Sequence, residues 1–236
     1  MTKTAATPSA VPEPLSGRRA QAARNDELIL QAAKAVFVAD PGAPITAVAK
    51  HAGVGISALY TRYGSKEELL RRLCSDGLAR FIAETQAALA ALADDGGSPW
   101  RVFAAFMRRL VEADTSSMTL ALAGKFAPTE EMFAQAEQAN ELLQRFFERV
   151  RPVLRPDADV HDLSVIFELV AAVKLADHDR NAQLRQRYLE LILAGLRAPG
   201  GDSVRAAGDE QLPGPPLPGP PPTWQELNER WMTSPG

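Results

Sequence analysis

Apolar residues recur at spacings of three and four along most of this chain, and that period predicts helices. Leu28, Ile29, Ala32, Ala33, Val36 and Phe37 fall on one face of a first helix over 25–39. Asn25 is placed to cap it, and Asp26 and Glu27 stand in its first turn, where the helix dipole favours carboxylates. Asp40-Pro41-Gly42-Ala43-Pro44 breaks the pattern. Pro44 suits the start of a second helix, Ile45 to Ala52, with Ile45, Val48 and Ala49 facing inward. Gly53 stands where a helix C-cap favours a left-handed residue, and a third, short helix follows over 56–63. Ser65-Lys66-Glu67-Glu68 has the form of a capping box. It opens a long helix carrying Leu69, Leu70, Leu73, Leu78, Phe81, Ile82, Leu89 and Leu92, which ends near Ala93 at Asp94-Asp95-Gly96-Gly97.

The same reading continues. Ser98, with Pro99 behind it, caps a helix reaching about Asp114, and a short helix covers about 116–123. A long one runs from Thr129 to Arg151, where Pro152 stops it. Asp159 to about Leu175 and Asn181 to Arg197 follow. No segment of credible length alternates with period two, so the expected fold class is all-α. Residues 199–222 are rich in Gly and Pro and are not expected to pack. Thr223-Trp224-Gln225-Glu226 is a second capping box, and Trp224, Leu227 and Trp231 at i, i+3 and i+7 predict a small amphipathic helix on a tether. These breaks divide the chain into a disordered arm (1–23), a head (24–75), a larger helical body (76–198) and a tail (199–236).

Composition refines this picture at three points. The net charge of -3 over 236 residues does not announce a nucleic-acid partner, but the charge is unevenly distributed. Residues 1–76 hold ten basic against seven acidic residues, and the rest sixteen against twenty-two, which makes a basic head on an acidic body. The single cysteine, Cys74, excludes an intrachain disulfide and suits a reducing compartment. No apolar run reaches the roughly 18 residues of a membrane helix, and the N-terminus lacks the apolar centre of a signal peptide. A soluble, cytoplasmic protein with no membrane partner is the expectation.

Gly53-Val54-Gly55-Ile56-Ser57-Ala58 fits the glycine pattern of a dinucleotide-binding turn. That motif needs a strand before it and a parallel sheet around it. Here a helical pattern precedes it, so helix, glycine-bearing turn, helix is the better reading: a helix-turn-helix, whose second helix enters the major groove of DNA. From Ile29 to Leu70 the chain is similar to the N-terminal domain of the tetracycline-repressor (TetR) family of bacterial transcription regulators. The resemblance lies in Ala32-Ala33 and Phe37, the run Ala49 to Val54, the Leu59-Tyr60 pair, Tyr63, and Ser65-Lys66-Glu67-Glu68-Leu69, and it covers about residues 24–75. Ala43-Pro44 and Ala47 depart from the family, many of whose members have Ser or Thr and then Asp or another polar residue there. So does Ser57-Ala58, where a Gly-Thr or Lys-Gly type of pair is commoner.

The resemblance implies a DNA-binding set of Thr46, Gly55, Ile56, Ser57, Ala58, Tyr60, Thr61, Arg62, Tyr63 and Lys66. Tyr60 is expected on a phosphate, and Arg62 on a phosphate or forked onto a guanine edge. Tyr63 is expected mostly in the core, and Lys66 opposes its helix dipole in a way that a bound phosphate would explain. Exposed arginines beside the arm, Arg18, Arg19 and Arg24, could reach the minor groove or backbone. A palindromic double-stranded operator calls for a homodimer. Its interface is expected on Leu163, Ile166, Phe167, Val170, Leu184, Tyr188, Leu191 and Ile192, because both last helices are apolar on more than one side. A small-molecule effector pocket is expected among Phe81, Phe103, Phe106, Met107, Met118, Leu122, Phe126, Phe133, Phe146 and Phe167, with Arg108, His161, Lys174 and Tyr188 as anchors. The implied function is repression relieved by the effector, with the long helix from Lys66 as lever. The alternative is a ligand-binding or scaffold dimer that has lost DNA binding. No cofactor, metal site or catalytic residue is expected: Asp177-His178-Asp179 and His161-Asp162 have no zinc spacing, and the former is read as a loop between helices.

Overall fold

The computed structural model describes residues 17–93, 98–113, 122, 124–173, 178–198 and 217–227. Eight α-helices order them: α1 (Gly17–Ala39), α2 (Ile45–Ala52), α3 (Ile56–Tyr63), α4 (Lys66–Ala93), α5 (Pro99–Glu112), α6 (Glu130–Val150), α7 (Asp162–Ala171) and α8 (His178–Leu196). A 3-10 turn, Arg151–Val153, follows α6. The all-α expectation holds among the described residues.

Helix starts fall where side chains can hold them. The Ser65 hydroxyl accepts from the Glu68 amide at 3.1 Å, and the Thr129 hydroxyl from the Met132 amide at 3.3 Å. Half of the first capping box is missing: the Ser65 amide donates to the Tyr63 carbonyl at 2.6 Å instead of to Glu68. The box at Thr223 is complete. Its amide donates to the Glu226 carboxylate at 2.7 Å, and its hydroxyl accepts from the Glu226 amide at 3.3 Å.

Three boundaries differ from expectation. Helix α1 begins at Gly17, so Asn25 is no cap and 17–23 are not part of an arm. Alanine and arginine favour continuing the helix, and Gln21 and Asn25 are joined across one turn at 2.9 Å. Helix α7 begins at Asp162, not Asp159: the Asp159 carboxylate accepts from the His161 amide at 2.9 Å, a local bond that competes with helix formation. His178 and Asp179 open α8 instead of lying in a loop, with Asp179 in the dipole-favoured first turn. Met118, Lys174 and Trp231 lie outside the described residues, as does most of the short helix expected over 116–123.

Two cores organise the molecule. In the body, α4 packs on α5 and α6, and α5 on α8. Their apolar faces meet around Phe103, Phe106, Met107, Phe146, Leu163 and Leu189. In the head, α1, α2, α3 and the start of α4 enclose Phe37, Val48, Leu59 and Leu69. That core is closed by residues of the body's sequence: Leu122, Phe126 and Met132 pack in it. The connector carrying them is bonded to the head, Arg71 donating to the Ala127 carbonyl at 3.1 Å and Ser75 to Gln135 at 3.0 Å. Cys74 is buried at this junction, where desolvation pushes its thiol up to about 12, so it stays protonated near neutrality.

Candidate nucleic-acid interface

The turn between α2 and α3 is built from backbone rules. Pro44, at φ -72° and ψ 153°, precedes α2 without a side-chain cap. Gly53 ends the helix at φ 67°, a left-handed conformation that favours glycine. Its amide and that of Val54 close back on α2, the latter donating to the Ala49 carbonyl at 3.1 Å. Gly55 is different. Its φ of -67° suits any residue, and a Cβ added there would meet nothing within 4 Å. The glycine pattern therefore serves chain reversal at Gly53 only, while Gly55 leaves the start of α3 uncovered.

Helix α3 presents two faces. Leu59 and Tyr63 are buried in the head core. Ile56, Ser57, Ala58, Tyr60, Thr61 and Arg62 are exposed. Tyr60 is 47% exposed, and its hydroxyl has no partner among the described residues. The Thr61 hydroxyl donates back to the Ser57 carbonyl at 2.8 Å, leaving its lone pairs outward. Thr46 is exposed on α2, and so are Lys50 and His51. Lys50 was not among the expected contacts, although it stands four residues from Thr46 and thus on the same helical face.

The three remaining expected contacts are engaged inside the head. Arg62 forks onto Asp26 of α1, with Nε and Nη2 at 2.8 and 3.0 Å from its two oxygens. The Tyr63 hydroxyl donates to the same carboxylate at 2.5 Å. The Arg62 bond holds the Asp26 carboxyl below its ordinary range, while burial pushes the Tyr63 hydroxyl well above its own, so it remains a donor. The core role expected of Tyr63 is what the structure has, but its hydroxyl faces Asp26 instead of a phosphate. Lys66 has an internal reason too. Its ammonium donates to the Ala43 carbonyl at 2.7 Å, with the Pro41 and Gly42 carbonyls at 3.3 and 3.4 Å, and it lies 5.1 Å from the Phe37 ring centre. It fastens the start of α4 to the α1–α2 turn, which accounts for a cation there without a phosphate. Nothing in the sequence marked Asp26 as the shared acceptor, since its partners lie 36 and 37 residues away.

The expected pocket residues separate. Phe103, Phe106, Met107 and Phe146 are wholly buried and pack on one another, Phe106 and Phe146 at 4.6 Å between ring centres. Phe81 meets Phe106 edge-on at 6.2 Å, and Phe167 joins the same body core. Leu122 and Phe126 belong to the head core, and Phe133 is on the surface. Arg108, an expected anchor, is paired with Glu190 at 2.6 and 2.9 Å. His161 has its Nδ1 2.9 Å from Asp159, and its buried Nε2 has no partner among the described residues.

The expected dimer residues also divide. Leu163, Phe167 and Val170 are buried within the chain, so they face its own core. Ile166, Leu184 and Ile192 are half-buried, and Tyr188 and Leu191 are exposed. Leu169 and Leu191 are each 62% exposed. Leu184, Tyr188 and Leu191 recur at helical spacing along the outer side of α8.

A short helix buried on one side, exposed on the other and set behind a tight glycine turn has the form of a helix-turn-helix, the class of element whose second helix enters the major groove of DNA. Residues 29–73 match the tetR family of bacterial regulatory proteins. Similar solved structures include the TetR transcription regulatory protein from Mycobacterium vanbaalenii, 23% identical, covering 77% of this chain and 99% of that one, with a TM-score of 0.49. A TetR transcriptional regulator from Streptomyces coelicolor is 24% identical, with 72% and 97% covered and a TM-score of 0.46. The TetR family regulator PfmR from Thermus thermophilus is 21% identical, with 71% and 97% covered and a TM-score of 0.47. At those TM-scores the likeness to this family rests on residues 29–73 alone. No curated protein matches the chain. Among the described residues no helix is long and apolar enough to cross a membrane, and no cluster of acidic, histidine and cysteine residues could hold a metal ion.

Proposed function

We propose that the chain is a cytoplasmic homodimeric repressor that binds a palindromic operator and leaves it when a small molecule binds the body. The carrying observation is the outer face of α3, where Tyr60 stands exposed and, among the described residues, unpartnered beside Ile56, Ser57, Ala58 and Thr61. Tyr60 would take a phosphate, Ser57 and Thr61 a base edge or phosphate, and Ile56 and Ala58 a thymine methyl. Thr46 and Lys50 extend the face along α2. Two such heads reach two half-sites about a helical turn apart only as a twofold dimer, and the apolar stripe on α8 is the surface that would make it. An effector releases DNA by favouring a dimer state whose heads are wrongly spaced. The connector from Leu122 to Met132, bonded to α4 and seated in the head core, supports transmission by that segment together with α4. The internal use of Arg62 and Lys66 favours one competing reading, a dimer that no longer binds DNA.

Selection of bound fragments from sheared DNA of the source genome separates the two. The native protein is expected to enrich a short inverted repeat. Tyr60→Ala should lose at least about tenfold in affinity, since a hydrogen bond to a charged group is worth about 1.5–3 kcal/mol. Its unfolding free energy should change by less than about 0.5 kcal/mol, as for other surface substitutions. An inverted repeat bound equally by Tyr60→Ala would remove this face from the interface; no enrichment at moderate salt would favour the non-binding dimer.

A further inference from the structure

We propose that Asp26 is a positioning residue of the DNA-binding face, fixing the last turn of α3 on α1 and withholding the Arg62 charge from the phosphate backbone. The inference rests on the reading that the outer face of α3 meets DNA. It starts from the extent of α1. Because that helix begins at Gly17, Asp26 stands more than two turns inside it, beyond the reach of the N-terminal dipole. The reason for a carboxylate at this position is then its partners. All three donors come from the final turn of α3: two guanidinium nitrogens of Arg62 and the hydroxyl of Tyr63. A fork of two parallel bonds fixes direction as well as distance, and the third bond comes from a ring seated in the head core.

The pair is lopsided. The Asp26 side chain is largely covered and that of Arg62 is largely exposed. Moving the guanidinium itself onto a phosphate would leave a covered carboxylate without its main partner, which is costly. While the pair holds, it carries no net charge and releases no counterion from DNA. Arg62 thus acts through geometry, by orienting the helix that carries Ile56, Ser57 and Tyr60. The cation left for a phosphate on the neighbouring helix is Lys50, exposed in the last turn of α2.

The salt dependence of binding tests this, because a merely structural role would not move it. The full chain is titrated with a labelled duplex of arbitrary sequence, about three helical turns long, between about 50 and 200 mM salt. Arg62→Gln should keep the native slope of log affinity against log salt. Asp26→Asn should steepen it by about 0.9 for each head whose arginine gains a phosphate. The double variant should return to the native slope. A slope already shallower in Arg62→Gln would overturn the proposal, as would a native slope in Asp26→Asn folded by circular dichroism. Should Asp26→Asn fail to fold, the Arg62→Gln slope still decides. DNA binding that appears in Asp26→Asn but not in the native chain would support withholding. Absence of binding in every protein would overturn the DNA-binding reading and this inference together, a pattern unlike any of the others.

Discussion

Phe146→Ala is expected to lower the unfolding free energy of this protein by about 3–5 kcal/mol, a large part of the roughly 5–15 kcal/mol that holds a domain folded. Phe146 is wholly buried and touches two other aromatic rings, with Phe106 at 4.6 Å and Phe103 at 6.4 Å between centres. Removing the ring forfeits its transfer free energy and the dispersion contacts of its neighbours, and rings held between α5 and α6 cannot collapse fully into the space. The measurement also distinguishes core from pocket. A phenylalanine bordering a void for a ligand loses fewer contacts, so a cost below about 1 kcal/mol by urea unfolding would mean that the aromatic cluster lines a cavity.

Leu191→Asp should act on assembly while leaving the fold intact. At 62% exposed, Leu191 contributes little to the chain's own core. In a twofold interface the same substitution appears twice, facing its copy or its copy's neighbours. An unpaired charge enclosed there costs about 3–5 kcal/mol, so the dimer should weaken by about a hundredfold or more. Sedimentation should find a dimer of the native chain and a monomer of the variant at the same concentration, with equal thermal midpoints. Affinity for an inverted repeat should fall with dimerisation. A variant that remains dimeric would move the interface away from α8, and a native chain that is monomeric would remove the dimer altogether.

Much of the head was legible because its signals are local. Pro44, Gly53 and Ser65 in the head, like Thr129 in the body, each act through the backbone within a few residues, and the helices they bound lie where the pattern placed them. The inward and outward sides of α3 followed from the same period, with Leu59 and Tyr63 in and Tyr60 out. What escaped depends on distance along the chain. Local pattern offers a carboxylate at Asp26 only the dipole, whereas the fold brings Arg62 and Tyr63 to it from another helix. Lys66 reads as a cation at the wrong end of a helix until three carbonyls of the α1–α2 turn close on it. The phenylalanines of the body carry no mark that tells a ring in a core from a ring on a cavity wall. Phe126 and Phe133 therefore fell into one expected set, though one lies beneath the head and the other on the surface.

The seating of Leu122, Phe126 and Met132 among the side chains of the head bears on modularity. A boundary after residue 75 follows the sequence pattern but cuts through a shared apolar core. A fragment ending there would lack three of the buried apolar residues that complete this core. For a chimaera that borrows this protein's DNA preference, the transplantable unit is discontinuous: residues 17–75 with the stretch 122–132, carried on a backbone that returns it to the same place.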